Sequence, residues 1–265
     1  MIPKPGKNHT VPANYRPISL LSHIGKIYER ILTRIITQIS IDLHVIPHHQ
    51  FGFRAHYNAP MQLLRVVDAI TVGFNEKHHT LAAFLDVKGA FDKVWHDGLL
   101  AKLHHFRFPV NVIILLQTFL RGRTFQVFAG SSLSTKKFLS AGVPQGSPLS
   151  PILYTLFTAD LVTHPGVHLA TFADDTMFYT SQRNLQLGIL QLQRALQAVY
   201  DWMVRWRLTV SIEKSTVVIF TRRLLPPLPR FSFGPHHLQF TDRVKYLGLL
   251  LDRRLTFRHH VQYIK

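Results

Sequence analysis

The sequence predicts an α+β fold, and three stretches carry that reading. Between Ile24 and Ile39 the apolar residues Ile24, Ile27, Tyr28, Ile31, Leu32, Ile35, Ile36 and Ile39 recur at helical spacing. The run TLAAFLDV (80–87) has the apolar character of a buried strand, with Asp86 at its carboxyl end. Strand-forming residues flank Asp174-Asp175 in VHLATFADDTMFYTS (167–181), so the two aspartates are expected at a tight turn between antiparallel strands. Helices and strands mix without strict alternation, which separates the chain from a repeating βαβ fold. With 265 residues, 46% of them hydrophobic, it can bury a sizeable core as one large domain or two lobes.

The remaining elements follow in order. Ser22 is placed to cap the first helix, whose apolar face is expected to pack into the core. Asn58-Ala59-Pro60 starts a second helix that runs through MQLLRVVDAI. After the buried strand, FDKVWHDGLLAKL (91–103) and NVIILLQTFL (111–120) read as helices, and RTFQVFAGSSLSTKKFLSAG (123–142) as a hairpin about a Gly-Ser-Ser turn. GVPQGSPLSPILYTLFTADL (142–161) is a Gly/Pro loop followed by a helix with Ser150 as cap and Pro151 in its first position. Ile189, Leu192, Leu196, Val199, Met203 and Trp206 trace a long helix. LTVSIEKSTVVIF (208–220) reads as a strand pair around Glu213-Lys214, PPLPR (226–230) as a linker, and VKYLGLLLDRRLTF (244–257) as a last hairpin.

Composition narrows the function classes. Lys and Arg total 31 against 14 acidic residues, a formal net charge of +17. Such a field attracts polyanions, nucleic acid ahead of anionic membrane, and its scatter along the chain favours a folded basic surface over a disordered arm. The absence of cysteine excludes a disulfide framework and a thiolate metal site. The longest apolar runs, such as VIILL (112–116), are too short to span a bilayer, and IPKPGK after Met1 is not a signal-type core. A soluble, intracellular protein without a membrane partner is therefore expected, in nucleus or cytoplasm alike and of unspecified oligomeric state. The 17 histidines, with doublets at 48–49, 78–79, 104–105, 236–237 and 259–260, read as surface composition, because adjacent residues share neither a helix face nor a strand face.

An aspartate pair in a turn is ordinarily only solvated. Asp86 changes that reading, because it too closes a buried strand. If the two strands are neighbours, three carboxylates converge, and like charges that close call for a cation; oxygen-only ligands suit Mg²⁺ or Mn²⁺. Two such ions stabilise the attacking and leaving oxygens of an in-line phosphoryl transfer. Chemistry on a nucleotide beside a polyanion then explains the acids, the lack of thiols and the basic surface together.

FLDVKGAFDKVWHDGLL (84–100), GVPQGSPLSPILYTLFTADL and FADDTMF, in that order, resemble the blocks of reverse transcriptases of non-long-terminal-repeat retrotransposons, the jockey-like type in particular. IPKPGK…NYRPISLL (2–21), QFGFR (50–54), IEKSTVVIF (212–220) and VKYLGLLLDRRLTF extend the resemblance over nearly the whole chain. It implies right-hand polymerase fingers and palm, with an antiparallel palm sheet packed on helices. The fingers would take 1–80, the first acidic strand and helix of the palm 81–104, a connection with a hairpin 105–145, the rest of the palm 146–221, and the primer-grip hairpin 222–265. The resemblance stops just past the primer grip, so a thumb is expected to be absent, and with it the cover for the apolar face of the last hairpin.

For individual residues the resemblance implies that Asp86 and Asp174 hold two Mg²⁺ ions, or Mn²⁺ in their place, with Asp175 assisting and the Val87 carbonyl completing a shell. Lys214 matches a lysine proposed to protonate the pyrophosphate leaving group. Phe91 stands where the family carries a bulky aromatic that crowds the sugar 2′ position and so selects deoxynucleotides. Gln145 resembles a glutamine that touches the incoming nucleotide, with Gly146 letting the backbone come close, and Lys4 and Arg16 fall where basic residues clamp the triphosphate. Arg54 falls among template contacts, although AHYNAP follows it where the family often has a small polar pair. Tyr246, Leu247 and Gly248 match the primer grip. The implied partners are an RNA template, a DNA primer and deoxynucleoside triphosphates. Two rivals stand beside this reading: a catalytically silent nucleic-acid-binding remnant, favoured by the missing thumb and the charge, and an RNA-dependent RNA polymerase, opposed by Phe91 and by Ala173 where those enzymes tend to have glycine.

Overall fold

A computed structural model describes residues 2–3, 6, 8, 10–11, 14–16, 18–129 and 132–265, which form two compact units, each discontinuous in sequence. In chain order the elements are β1 (Ile2–Pro3), β2 (Tyr15–Arg16), α1 (His23–Asp42), α2 (Ala59–Asn75), β3 (His79–Asp86), α3 (His96–His105), α4 (Val110–Leu120), β4 (Thr124–Phe125), β5 (Phe128–Ala129), β6 (Ser132–Leu133), β7 (Lys137–Phe138), α5 (Ser150–Phe157), β8 (His168–Phe172), β9 (Asp175–Gln182), α6 (Leu185–Arg205), β10 (Thr216–Phe220), β11 (Phe231–Phe233), β12 (His236–Phe240), β13 (Arg243–Tyr246), β14 (Leu249–Asp252) and α7 (Arg258–Ile264). The mixture is the α+β class that the sequence predicts.

One unit comprises Pro47–Lys88 and Asp160–Lys265. Its sheet has the order β11-β12-β10-β3-β9-β8. Neighbours are antiparallel with one exception to the all-antiparallel expectation: β10 and β12 run parallel, because β11 is laid outermost and β12 returns between it and β10. Central β3 is buried over all but its last residue, Asp86, which explains its unbroken apolar pattern. One sheet face, with Ala82, Phe84, Met177, Tyr179, Val218 and Phe220, packs on Val66, Ile70 and Phe74 of α2 and on Tyr246 and Leu251 of the β13–β14 hairpin. Each fully buried Leu, Ile or Phe contributes about 2 kcal/mol of transfer free energy. Contacts from α6 to β3 and β9 involve a helix whose Leu192, Leu196 and Val199 are wholly buried. Asn58 and Asn184 cap α2 and α6 by accepting backbone N–H bonds.

Several expectations are corrected in this unit. The apolar side of the β13–β14 hairpin is part of the core rather than bare. Its strands stop at Asp252, because the Asp252 carboxylate accepts from the N–H groups of Arg254, Thr256 and Phe257 and closes a turn before α7. Residues 208–220 are not a strand pair: Val210 bridges Val87 and β10 pairs with β3, so both arms bond to the same segment instead of to each other. The β11–β12 hairpin follows PPLPR unannounced, with Phe231, Phe233 and Leu238 as its buried residues.

The other unit comprises Met1–Ile46 and Gly89–Ala159, in which α3 packs on α4 and α5 while α1 touches α5. Ser22 caps α1 as expected, accepting from the Gly25 N–H at 3.0 Å. The core role of the α1 apolar face does not hold: Ile24, Ile27, Tyr28, Ile31 and Ile35 are exposed, and Glu29, Leu32, Ile36 and Ser40 are buried. Periodicity identifies an amphipathic helix, but how wide a strip is covered depends on its neighbours. Residues 91–103 are not one helix. A 3-10 turn at Ala90–Lys93 is followed by extended Val94 and Trp95, whose backbones pair with Gly142 and Ala141. Ser150 is the first residue of α5 rather than its cap, and its hydroxyl donates to the Pro144 carbonyl at 2.7 Å. The 123–142 hairpin forms as β4–β7 and β5–β6, its Gly130-Ser131 turn lying outside the described residues. Nor are all histidines surface residues, since His79 and His96 are both 7% exposed.

Candidate active site

The β8–β9 hairpin pairs Phe172 with Asp175, leaving Ala173 and Asp174 as a two-residue turn with Ala173 at φ +58°. Across the sheet Asp175 lies directly opposite Asp86. The Asp86 N–H donates to Ser215 Oγ at 3.0 Å and its carbonyl accepts from Ser211, so both backbone groups point away from β9. Asp86 and Asp175 are therefore a non-hydrogen-bonded pair, the closer kind, with Cα atoms about 4.5 Å apart and side chains on one face. Like charges so placed repel.

Asp175 is exposed at the strand end, yet the chain around its carboxyl partly desolvates it; that desolvation, with Asp174 and then Asp86 adding their charges, pushes it from the usual 3.8 up to about 6. A carboxyl raised in the folded chain favours folding below its unfolded value and loses that contribution as pH rises through the folded value. Asp175→Asn is accordingly expected to match the wild type at pH 4 and to exceed it above pH 6 by about 1 kcal/mol, solvent screening allowed for. Urea denaturation at several pH values measures this difference; a pH-independent one would contradict the placement.

Lys214, at the end of the 3-10 turn Ile212–Lys214, brings its Nζ to 3.6 Å from Asp86 Oδ2. Val87 bridges Val210 while the ladder bonds run from Lys88 to Thr209 and from Ser211 to Asp86, which turns the Val87 carbonyl toward the β9 side. Among the described residues no group of three His, Cys, Asp or Glu side chains forms a ready-made metal cage. The donor set nevertheless fits Mg²⁺, which is ordinarily held by one or two carboxylates plus substrate phosphates rather than by an all-protein cage. Asp175 is raised by desolvation first and then by the charges of Asp174 and Asp86, and such an ion would offset those charges.

Two supporting residues escape a reading of the sequence for charged groups. Gln50, 4% exposed, bridges in parallel to Thr171 and accepts through Oε1 from the N–H groups of both Ala173, at 3.0 Å, and Gly52, at 2.8 Å. Gly52 lies so close that a Cβ there would stand 2.2 Å from the Ala173 nitrogen. The QFGFR block thus clamps the aspartate turn, and the only sequence signal is a glycine between two aromatics. Arg54 of the same block donates to the carbonyls of Pro47 and Gln50, with its guanidinium 4.1 Å above the Tyr57 ring.

Tyr246 is 3% exposed, its hydroxyl between Gln62 and the Ala170 carbonyl, and burial pushes its phenol upward. Leu247 and Gly248, both at positive φ, make the β13–β14 turn. In the other unit the Phe91 ring stacks on buried Tyr154 at 5.1 Å. Gln145 Nε2 donates to Asp92 Oδ1 at 2.8 Å, beside Gly146 at φ +99°. Lys4 and the Arg16 side chain lie outside the described residues.

A mixed sheet with three aspartates at the end of its central strand and adjoining hairpin defines the right-hand polymerase class of fold. Apo telomerase from Candida tropicalis truncated from its C-terminal domain superposes with a TM-score of 0.57 at 14% identity, over 87% of this chain and 46% of that one. Residues 2–251 match the family described as reverse transcriptase (RNA-dependent DNA polymerase), and the chain belongs to that family. It is 39% identical to the RNA-directed DNA polymerase from mobile element jockey of Drosophila melanogaster, over 100% of this chain and 30% of that protein. The counterpart from Drosophila funebris is 40% identical over 98% of this chain and 29% of its own length, and the probable polymerase from transposon X-element of Drosophila melanogaster is 40% identical over 100% and 30%. The chain thus spans about 30% of the length of these curated relatives. No helix among the described residues is long and apolar enough to cross a membrane.

Proposed function

We propose that this chain adds deoxynucleotides to the 3′-OH of a DNA primer, using RNA as template. The observation that carries the reading is the facing pair Asp86 and Asp175 with Asp174 in the adjoining turn, in a member of the reverse transcriptase family. Asp86, Asp174 and the Val87 carbonyl are the groups that would hold two Mg²⁺ ions, with Asp175 assisting. Bound there, the ions supply Lewis-acid stabilisation of the attacking and leaving oxygens.

The chain's own residues do the rest. Lys214, 3.6 Å from Asp86, holds a proton where the pyrophosphate departs. Gln145 and Gly146 meet the incoming nucleotide, Lys4 and Arg16 its phosphates, and Arg54 and the turn at Leu247-Gly248 the template and primer. The net charge of +17 attracts both strands through their phosphates, so binding weakens steeply with salt. Stacking on Tyr154 stiffens the Phe91 ring, which then excludes a ribose 2′-OH.

Extension of a primed RNA template with Mg²⁺ and either deoxynucleotides or ribonucleotides tests the proposal. Phe91→Val is expected to lower the preference for deoxynucleotides about a hundredfold, roughly 3 kcal/mol of discrimination, by removing the clash. An unchanged sugar preference would remove Phe91 from this role, and absence of RNA-templated extension by the wild type would overturn the reading as a whole.

A further inference from the structure

Glu29 of α1 is a buried carboxylate, 5% exposed, for which the proposed reaction has no use. Burying such a charge is costly unless it is paired and hydrogen-bonded. The Ser147 hydroxyl donates to Glu29 Oε2 and accepts in turn from the Leu149 N–H at 3.1 Å. Arg123 donates to the Gly142 carbonyl at 3.2 Å, and the Glu29 charge opposes the effect of burial on its guanidinium. The carboxylate therefore anchors the loop 142–147 at Ser147, while Arg123 holds its other end at Gly142.

Gln145 lies between those ends. Its carbonyl accepts from the Ser19 N–H at 2.8 Å, and its side chain is held by a solvent-exposed bond to Asp92. An exposed polar bond restrains little by itself, whereas a buried charge-assisted bond is strong. We infer that Glu29 is a positioning residue for nucleotide binding: through Ser147 it fixes the loop that presents Gln145. The catalytic consequence rests on the proposed contact between Gln145 and the incoming nucleotide; the coupling of Glu29 to the loop does not.

The test combines amide hydrogen exchange with steady-state kinetics on the full chain, using wild type, Glu29→Gln, Glu29→Ala, Gln145→Ala and the Glu29→Gln/Gln145→Ala pair. Exchange at the Ser147 and Leu149 amides is expected to accelerate about tenfold in Glu29→Ala and less in Glu29→Gln, which keeps an acceptor, while the β3 amides are unchanged. In primer extension, Glu29→Gln is expected to raise KM for dGTP about tenfold with kcat within about threefold. Combined with Gln145→Ala, it should add almost nothing to the single variant, because both act through one contact. Unchanged exchange at Ser147 and Leu149, or fully additive effects on KM, would overturn the inference. Should the wild type fail to extend primers, the polymerase reading falls and the exchange result alone decides whether Glu29 fixes the loop. If Glu29→Ala does not fold, Glu29→Gln decides in both measurements.

Discussion

Asp86→Asn is expected to reduce primer extension about a thousandfold or more, the upper range for loss of one group that stabilises transition-state charge. Template-primer affinity at fixed salt should stay within about twofold, because phosphate contacts made by the basic surface supply most of it. The variant should also fold at least as well as the wild type, since Asp86 faces Asp175 in the closest kind of cross-strand pair. Removing that charge should lower Asp175 from about 6 only in part, since desolvation and Asp174 act on it more strongly, and carboxyl NMR titration would follow the change. Extension, binding and titration together separate loss of chemistry from loss of fold. Surviving Mg²⁺-dependent extension would contradict the assignment of Asp86.

The second large effect belongs to a residue without any charge. Gly52→Ala places a methyl group 2.2 Å from the Ala173 nitrogen and 2.9 Å from the Phe172 carbonyl carbon, both of them backbone atoms that cannot swing aside. Overpacking of this kind costs about 1–3 kcal/mol. The strain falls on the turn that carries Asp174, where a shift of about 1 Å can cost a hundredfold in rate. Gly52→Ala is therefore expected to lower stability by about 2 kcal/mol and extension by at least about tenfold. Thermal melting beside primer extension measures both. A variant that melts and extends like the wild type would show that the QFGFR block does not hold the turn.

The acidic centre was legible in the sequence because its signals are local. A short apolar run closed by Asp86 reads as a buried strand with an acid at its lip, and strand formers on both sides of Asp174-Asp175 leave those residues to the turn. The starts of α1 and α2 were equally local, as the caps of Ser22 and Asn58 show, whereas Ser150 lies inside α5. What escaped depends on partners far along the chain. Gln50 reaches the aspartate turn across 123 residues, and no propensity announces such a bond. Val94 and Trp95 leave the helical pattern because Gly142 and Ala141 claim their backbones. Ile24, Ile27, Ile31 and Ile35 of α1 obey the helical period and still face solvent, since periodicity specifies a stripe and not what covers it. The parallel β10–β12 pair depends on the route of a connection, which spacing does not encode.

In the proposed function Asp86, Asp174 and Asp175 form the catalytic centre of an RNA-templated DNA polymerase. The most direct measurement is extension of a DNA primer on an RNA template by the purified chain with Mg²⁺ and deoxynucleotides, run beside Asp174→Ala. Extension by the wild type alone, with equal template-primer binding by both proteins, is the predicted result. Equal extension by both, or binding without extension by either, would contradict the claim, and the second outcome would leave the acids as an ordinary solvated turn on a nucleic-acid-binding protein.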